Sequence, residues 1–292
     1  MNDRLHTAAK FATHLSDNLP AHLPANLPNV ADTDVADIAR RIRRSVIDLA
    51  HVSQGPHVGS ALSCTDILAT LYFKLLRLDD WAQRDIGILS KGHAAMALYA
   101  TLAERGIIDR ELLKGYCMND GTLPAHLDRF SAKGIEVSAG SLGHGFGLGI
   151  GMAYAYKKRH EDRRVYVVIG DGENQEGSIW EGALFAPKMG VDNFSVIVDA
   201  NNLQGYGRPS ELCDLYPLRE KWAAFGWHAV EVDGHDHVAI EQALREPTNG
   251  KPRAVIAHTI KGKGVPFMED ELVWHYYLVT DDIRAQAMEA LA

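Results

Sequence analysis

Five short runs of branched apolar residues, each followed by a loop that carries Gly or Asp, limit the fold of this chain more than any other feature. Helical patterns lie between them. Runs that are apolar at nearly every position are typical of strands buried on both faces of a parallel sheet. We therefore predict an α/β fold, a parallel sheet covered by helices on both faces. The runs are 86–89, 165–169, 194–198, 229–232 and 254–257.

The chain divides near residue 34. Its 292 residues, 46% of them hydrophobic, are enough for one large α/β domain or two small ones. Pro20, Pro24 and Pro28 recur among Ala, Asn and Leu, a pattern that is incompatible with a continuous helix. We predict a mobile leader over residues 1–33, or alternatively an arm laid on a partner subunit, and an α/β domain over residues 34–292.

Two helices are predicted directly after the leader. Apolar residues recur at helical spacing over 35–51, and a second helical pattern covers 64–76. In the first helix the basic residues are expected to face solvent. These are Arg40, Arg41, Arg43 and Arg44.

Charge and cysteine usage narrow the class of protein. The net charge of −8 argues against nucleic acid as a partner, because phosphate backbones are bound by clustered Lys and Arg. The three cysteines show no disulfide or zinc spacing. No apolar run approaches the roughly 20 residues that a membrane helix needs, and no signal peptide is recognisable. The expected location is the cytoplasm, with no membrane partner.

Polar residues follow two of the predicted strands. Gly170-Asp171-Gly172 ends the second run, and Asn201 follows the third, thirty positions later. Adjacent parallel strands end at the same edge of a sheet, about 4.8 Å apart, so both side chains could reach one ion. Carboxylate and amide oxygens suit Mg²⁺, with Ca²⁺ or Mn²⁺ as possible substitutes. Two protein ligands leave room for a phosphate-bearing molecule, which the glycines allow to approach the backbone.

This Gly-Asp-Gly and Asn pair is the thiamine-diphosphate signature, and the sequence from about residue 35 to 275 resembles the transketolase family. The likeness is to the N-terminal, diphosphate-binding half, so it implies the thiamine-diphosphate-binding fold. Asp171 and Asn201 match the family's Mg²⁺ ligands, and Leu203 matches the position that adds a backbone carbonyl. The resemblance implies cofactor contacts at Ser60, Lys91, His93, Gly140, Leu142, Asp171, Gly172, Glu173, Asn201, Lys261 and His275.

Four of the 14 histidines lie in motifs that match the family. His57 resembles the histidine that faces the reacting carbonyl, and His93 one near the diphosphate. His126 resembles a contact of the donor sugar's terminal hydroxyl, and His275 closes the site from the C-terminal side. Imidazole can donate or accept a proton near neutral pH, which suits chemistry on hydroxyl and carbonyl groups. We expect all four to be catalytic.

The glycine-rich run at 143–151 fits no GxGxxG register, so a nucleotide site is not expected. It is better explained as a helix with Ser141 as its N-cap and a flat face at Gly143, Gly147 and Gly151. Glycine destabilises a helix, so the close approach of another backbone would compensate. We expect Gly147 and Gly151 at a subunit interface, where the family resemblance also puts Glu176.

The family's activating glutamate lies in a second domain for which this chain has no room. The resemblance therefore implies a split transketolase, with a C-terminal partner subunit of about 300 residues and an α2β2 assembly. The implied activity is transfer of a two-carbon ketol unit from a ketose, such as a sugar phosphate, to an aldehyde. The alternatives are a specialised acyloin-forming or 2-oxoacid-decarboxylating ligase and a non-catalytic partner. Pro56 and His144 depart from the family pattern and leave the substrate open.

Overall fold

The computed structural model describes residues 33–292, together with Leu27 and Val30. The predicted leader, residues 1–33, lies outside the described residues apart from Leu27, Val30 and Thr33, so it stays a prediction. Leu27 and Val30 are half-buried and pack against the larger of two hydrophobic cores.

Five parallel strands form a sheet in the order β1-β2-β3-β5-β4. Each overlaps a predicted run. Four of them are buried along nearly their whole length, as expected of apolar segments inside a parallel sheet, whereas the edge strand His228–Asp233 is only partly buried. The chain therefore steps from β1 to β3, crosses to the far edge for β4 and returns to insert β5. The strands are β1 Ile86–Leu89, β2 Val165–Gly170, β3 Phe194–Ala200, β4 His228–Asp233 and β5 Arg253–His258.

Alternate side chains of β2 pack into two separate hydrophobic cores, one on each face of the sheet. Val165, Val167 and Ile169 of β2 belong to the smaller core. Tyr166 and Val168 belong to the larger one on the opposite face. Successive side chains of a strand point to opposite faces, so both faces of the sheet are covered, as predicted.

Ten helices surround the described sheet. They are α1 Val35–Ser53, α2 Val58–Ser63, α3 Thr65–Thr70, α4 Ala95–Glu104, α5 His144–Lys158, α6 Gly177–Lys188, α7 Pro209–Leu212, α8 Leu218–Ala224, α9 His237–Arg245 and α10 Asp281–Ala290. The second predicted helix is α3, which passes at Leu71 into a wider π-helical turn that ends at Leu75. Over the part of the chain that the structure describes, no helix is long and apolar enough to cross a membrane.

Helix α1 begins where Asp34 caps it by accepting a hydrogen bond from the Ala36 amide at 2.9 Å. Its arginines do not all face solvent. Arg40 and Arg41 are exposed, but Arg43 is buried and donates two hydrogen bonds to Asp66 of α3, at 2.5 and 3.1 Å. The outward prediction was wrong for Arg43 because periodicity alone does not show that a carboxylate lies across from it.

The glycines of α5 serve two opposite faces. A Cβ built on Gly149 would lie 2.5 Å from a Val167 methyl, and one on Gly145 would lie 2.6 Å from Ser90 Oγ. These two glycines let the helix lie directly on the sheet. Gly147 and Gly151 are exposed, and a Cβ on either would meet nothing within 4 Å. The run is therefore a helix, as predicted.

That helix begins later than predicted. Its cap is Gly143, in the left-handed region at φ +83°, and its first residue is His144. A Cβ on Gly143 would lie 2.3 Å from Ser178 Oγ, so the tight approach of the loop to α6 requires glycine there. The N-cap assignment of Ser141 was wrong for this reason.

Candidate active site

The loops after β2 and β3 lie side by side. Gly170 and Asp199 are register partners in the two strands. The Asp171 carboxylate accepts the amides of Gly172 and Asn202, both at 2.7 Å, and so ties one loop to the other. Burial first, and then the nearby Asp199 carboxylate, raise the pKa of Asp171 to about 6. The two predicted metal-binding side chains, Asp171 and Asn201, thus come from loops that are bonded together.

Asp199 is a buried carboxylate that the sequence reasoning missed. It pairs with the Lys91 ammonium and accepts hydrogen bonds from Ser63 Oγ at 2.6 Å and Thr259 Oγ1 at 2.5 Å. The Asn201 amide nitrogen also donates to it, at 3.3 Å, and the amide oxygen accepts from the Leu203 amide at 3.0 Å. The available signal was a carboxylate inside an otherwise apolar strand, which must have a partner when it is buried.

Glu173 joins three loops of the site. One carboxylate oxygen accepts from Ser90 Oγ at 2.5 Å and from the Gly143 amide at 2.8 Å, and the other accepts from the Gly170 amide at 3.2 Å. Burial raises the pKa of this carboxyl group, and these three donors oppose the shift. The side chain lines the cavity, but its oxygens hold the surrounding backbone in place.

The four predicted histidines converge. The His57 ring centroid lies 4.7 Å from that of His275, 5.2 Å from His93 and 6.1 Å from His126. His57 has a left-handed backbone, φ +76°, and its amide donates to the His275 carbonyl at 2.9 Å. A non-glycine residue in that region is uncommon, and here it turns the imidazole of the α2 N-cap residue into the cluster.

Burial keeps the rings of His57, His93 and His275 neutral. It lowers the pKa of His57 to about 4, with the charges on His126 and Lys261 as smaller causes. It lowers the pKa of His275 to about 3, assisted by Lys261. The pKa of His93 is also well below its ordinary value, through burial first and Lys91 second. At neutral pH these three rings can therefore each donate and accept one hydrogen bond.

Lys261 lies behind the site wall. Its ammonium donates to the carbonyls of Leu203 at 2.9 Å and Gln204 at 3.2 Å, and to His275 Nδ1 at 2.9 Å. Because Nδ1 accepts, the proton of neutral His275 is on Nε2. Burial lowers the pKa of Lys261 to about 8. The sequence prediction expected a direct cofactor contact here, whereas the ammonium fixes the carbonyl of Leu203, the third predicted metal ligand.

These groups surround a cavity of about 430 Å³. Neither Pro56 nor His144, the two departures from the family pattern, lines it. Gln175, Gln204, Tyr206 and Tyr276 line it without having been predicted, since none lies in a motif that indicated a role. The predicted residues that line it are His57, Ser60, Lys91, His93, His126, Gly140, Leu142, Asp171, Gly172, Glu173, Glu176, Asn201, Leu203 and His275.

The cavity fits a polar ligand that carries a cation and phosphates. His57 Nδ1 and Gln204 Nε2 are buried without a hydrogen-bond partner, so each leaves a position for a ligand atom. In the described part of the chain no cluster of three or more His, Cys, Asp or Glu could hold a metal by itself. The oxygens of Asp171 and Asn201 are hard donors of the kind that would suit an ion whose remaining ligands were phosphates and water. A Cβ on Gly172 would lie 2.9 Å from the Gln204 side chain, so only glycine lets the loop after β2 approach Gln204 this closely.

A family model described as the thiamine-diphosphate-binding domain of transketolase matches residues 35–290. The chain belongs to the transketolase family. It is an N-terminal-type, thiamine-diphosphate-binding subunit, and both the recognition and the fold class predicted from the sequence are confirmed.

Relatives of similar length are named as subunits. A 6-deoxy-6-sulfo-D-fructose transketolase subunit of Clostridium sp. is 42% identical over 243 residues, which are 80% of this chain and 88% of that protein. An apulose-4-phosphate transketolase subunit of Actinobacillus succinogenes is 39% identical over 269 residues, 90% of this chain and 98% of that one.

The solved transketolase from Leishmania mexicana superimposes with a TM-score of 0.81 at 26% identity over 89% of this chain. This transketolase-family subunit spans only 41% of that longer protein. The cavity described above therefore lies in a chain that corresponds to less than half of that transketolase.

Proposed function

We propose that this subunit catalyses thiamine-diphosphate-dependent transfer of a two-carbon ketol unit from a ketose to an aldehyde, together with a C-terminal-type transketolase subunit. The supporting observation is the convergence of two kinds of residue in one cavity. Oxygen and amide groups for a Mg²⁺ diphosphate lie at the ends of β2 and β3, and four histidines lie beside them.

Asp171 and Asn201 would hold the Mg²⁺ ion, with the carbonyl of Leu203 as a further ligand. Gly172, which has no side chain, would let the diphosphate approach the loop, and the Lys91 ammonium, paired with Asp199, lies in the cavity wall. When bound, thiamine diphosphate supplies the carbanion chemistry that breaks and forms carbon–carbon bonds. The chain itself anchors the cofactor and handles protons around it.

The histidines suit that second task. His275 turns a fixed Nε2–H towards the cavity because Lys261 donates to its Nδ1. His57 Nδ1 is free to bind a substrate oxygen or hydroxyl. Because they are neutral at pH 7, each ring can hydrogen-bond a substrate hydroxyl, and it can move a proton without a second charge beside Lys261 when it releases one proton from one nitrogen as it takes up another at the other.

A partner subunit is supported by an uncovered surface next to the cavity. Gly147 and Gly151 leave one face of α5 bare. Leu148 of α5 and Leu184 of α6 are exposed, and Glu176 lies on the cavity rim directly before α6. Small and apolar residues on neighbouring helices are suited to close helix packing, so this surface would receive the subunit that carries the activating glutamate.

The proposal is tested by expressing the chain with a C-terminal-type transketolase subunit from the same genome. Mg²⁺, thiamine diphosphate and a panel of ketoses, with and without a terminal phosphate, would be supplied with aldehyde acceptors. Mass spectrometry would identify the products. The expected result is ketol transfer by the α2β2 assembly and very little by either of the two chains on its own.

Three outcomes would contradict it. Full transfer by this chain without a partner would refute the shared site. Carbon dioxide release from a 2-oxoacid in place of ketol transfer would reassign the assembly to a decarboxylating ligase. No binding of thiamine diphosphate and Mg²⁺ by the assembled pair would favour a non-catalytic partner.

A further inference from the structure

A second buried polar cluster lies outside the cavity, around the Asp66 carboxylate of α3. Arg43 of α1 binds both carboxylate oxygens. His235 Nδ1 lies 2.6 Å from one oxygen, and His237 Nε2 lies 2.9 Å from the other. Hydrogen bonds from these partners hold the pKa of Asp66 far below its ordinary value, against the effect of burial. Asp66 is thus a permanently ionised acceptor at neutral pH.

The two histidines differ in what their other ring nitrogen can do. His235 Nε2 accepts the Ile260 amide at 2.8 Å, so it carries a lone pair, and the ring proton must be on Nδ1, facing Asp66. His237 has its Nε2 on Asp66 and begins α9, with no bond to the segment that contains Ile260 among the described contacts. Of the two histidines, only His235 therefore connects the Asp66 carboxylate to the Ile260 amide, while Arg43 reaches the same loop further on, by donating to the Lys263 carbonyl at 2.9 Å.

That segment is packed too tightly to move independently. A Cβ on Gly234 would lie 2.4 Å from the Thr259 methyl, so the loop that carries His235 lies directly on residues 258–260. Thr259 is held on its other side by Asp199, and Gly234 donates its amide to the His258 carbonyl at 2.7 Å. The next residue after Ile260 is Lys261, whose ammonium fixes His275 Nδ1 and the Leu203 carbonyl.

We propose that His235 is a positioning residue. Held by Asp66 and Arg43, it anchors the Ile260 amide, and this anchor sets where the Lys261 ammonium stands and which ring nitrogen of His275 is protonated. The chain of contacts runs from the α1–α3 ion pair to the cavity wall. The effect of this anchor on cofactor affinity rests on the proposed function, whereas the tautomers of His235 and His275 do not depend on it.

Three variants of the full chain separate the contacts of this cluster. His235→Gln places an amide oxygen near the Nε2 position and can still accept from Ile260. His235→Asn keeps a donor near the Nδ1 position for Asp66 but loses the acceptor. His237→Asn is the matched control, because it removes a hydrogen bond to the same carboxylate without touching the segment.

Two measurements need no activity. Imidazole ¹⁵N spectra of the wild type should show His235 protonated on Nδ1 and His275 on Nε2. Hydrogen exchange of the Ile260 amide should accelerate about tenfold in His235→Asn, and stay within about threefold of the wild type in His235→Gln and His237→Asn. His275 should become a mixture of tautomers in His235→Asn alone.

A third measurement, calorimetric binding of thiamine diphosphate with Mg²⁺ to the assembled pair of subunits, should show about tenfold weaker affinity for His235→Asn. An imidazolium or an Nε2–H tautomer at His235 in the wild type would overturn the proposal. So would equal exchange rates in His235→Asn and His237→Asn. If the tautomers and exchange respond as expected while affinity does not, the positioning role stands and the proposed role of this wall in cofactor binding fails.

Discussion

Replacing glycine by alanine should have opposite effects on the stability of the subunit at two positions of α5, because Gly151 lies on its exposed face and Gly149 on the face that packs against the sheet. Gly151→Ala adds a methyl group to an exposed helical position where nothing lies within 4 Å. Alanine favours a helix interior by about 1 kcal/mol over glycine, so the isolated subunit should become more stable by about that amount. Gly147→Ala, on the same bare face, should act in the same direction.

Gly149→Ala should destabilise the same helix. Its methyl carbon would lie 2.5 Å from Val167 Cγ2 and 3.1 Å from Phe194 Cε2, and both of these side chains are fully buried. Restoring ordinary contact of about 3.5 Å or more requires the helix or β2 to shift by about 1 Å. Overpacking of this kind costs about 1–3 kcal/mol against a gain of about 1 kcal/mol in helix propensity, so the net effect should be a loss of up to about 2 kcal/mol.

Thermal unfolding of the purified subunit measures the difference. The two variants should differ by about 1–3 kcal/mol, with apparent melting temperatures raised by a few degrees for Gly151→Ala and lowered for Gly149→Ala, since 1 kcal/mol corresponds to about 2–4 °C in a large domain. Binding to the partner subunit should then weaken for Gly151→Ala despite its stability. Equal destabilisation of the isolated subunit by both variants would refute the assignment of a bare outer face.

The remaining predictions concern the cavity. Asp171→Ala should abolish Mg²⁺-dependent binding of thiamine diphosphate in calorimetry, whereas His57→Ala should retain binding and reduce turnover of the assembled enzyme by about 10²–10⁴; equal loss of binding would place His57 wrongly. Asp199→Asn leaves the Lys91 ammonium buried without its counter-ion and should cost about 3–5 kcal/mol in denaturant unfolding; a loss below about 1 kcal/mol would contradict the buried pair. The unfolding free energy should fall as pH drops from 6.5 towards about 4, because His57, His93 and His275, whose pKa values burial lowers, bind protons in the unfolded state before they can in the folded state. His57→Gln should reduce that slope by the share of one histidine, and an unchanged slope would argue against the burial of His57.

Local sequence determined the strands and the two side chains predicted to bind the metal ion. The apolar runs at 165–169 and 194–198 could be buried only within a parallel sheet, and both lie in strands of the structure. Asp171 and Asn201 directly follow neighbouring strands, so sequence alone was enough to bring them to one edge. The histidines needed the family resemblance, because a lone imidazole carries no periodic signal.

Only the tertiary structure decided what each buried charge faces. Arg43 has the spacing of a surface residue, yet Asp66 lies across from it. Asp199 accepts from Thr259, and His235 from Ile260, because β5 is inserted between β3 and β4, and Glu173 accepts from Ser90 because β1 lies beside β2. A helical or strand pattern records which face of an element is apolar. It does not show which polar partner the fold will bring to that face. That partner determines the protonation state, the tautomer and the position of a buried polar side chain.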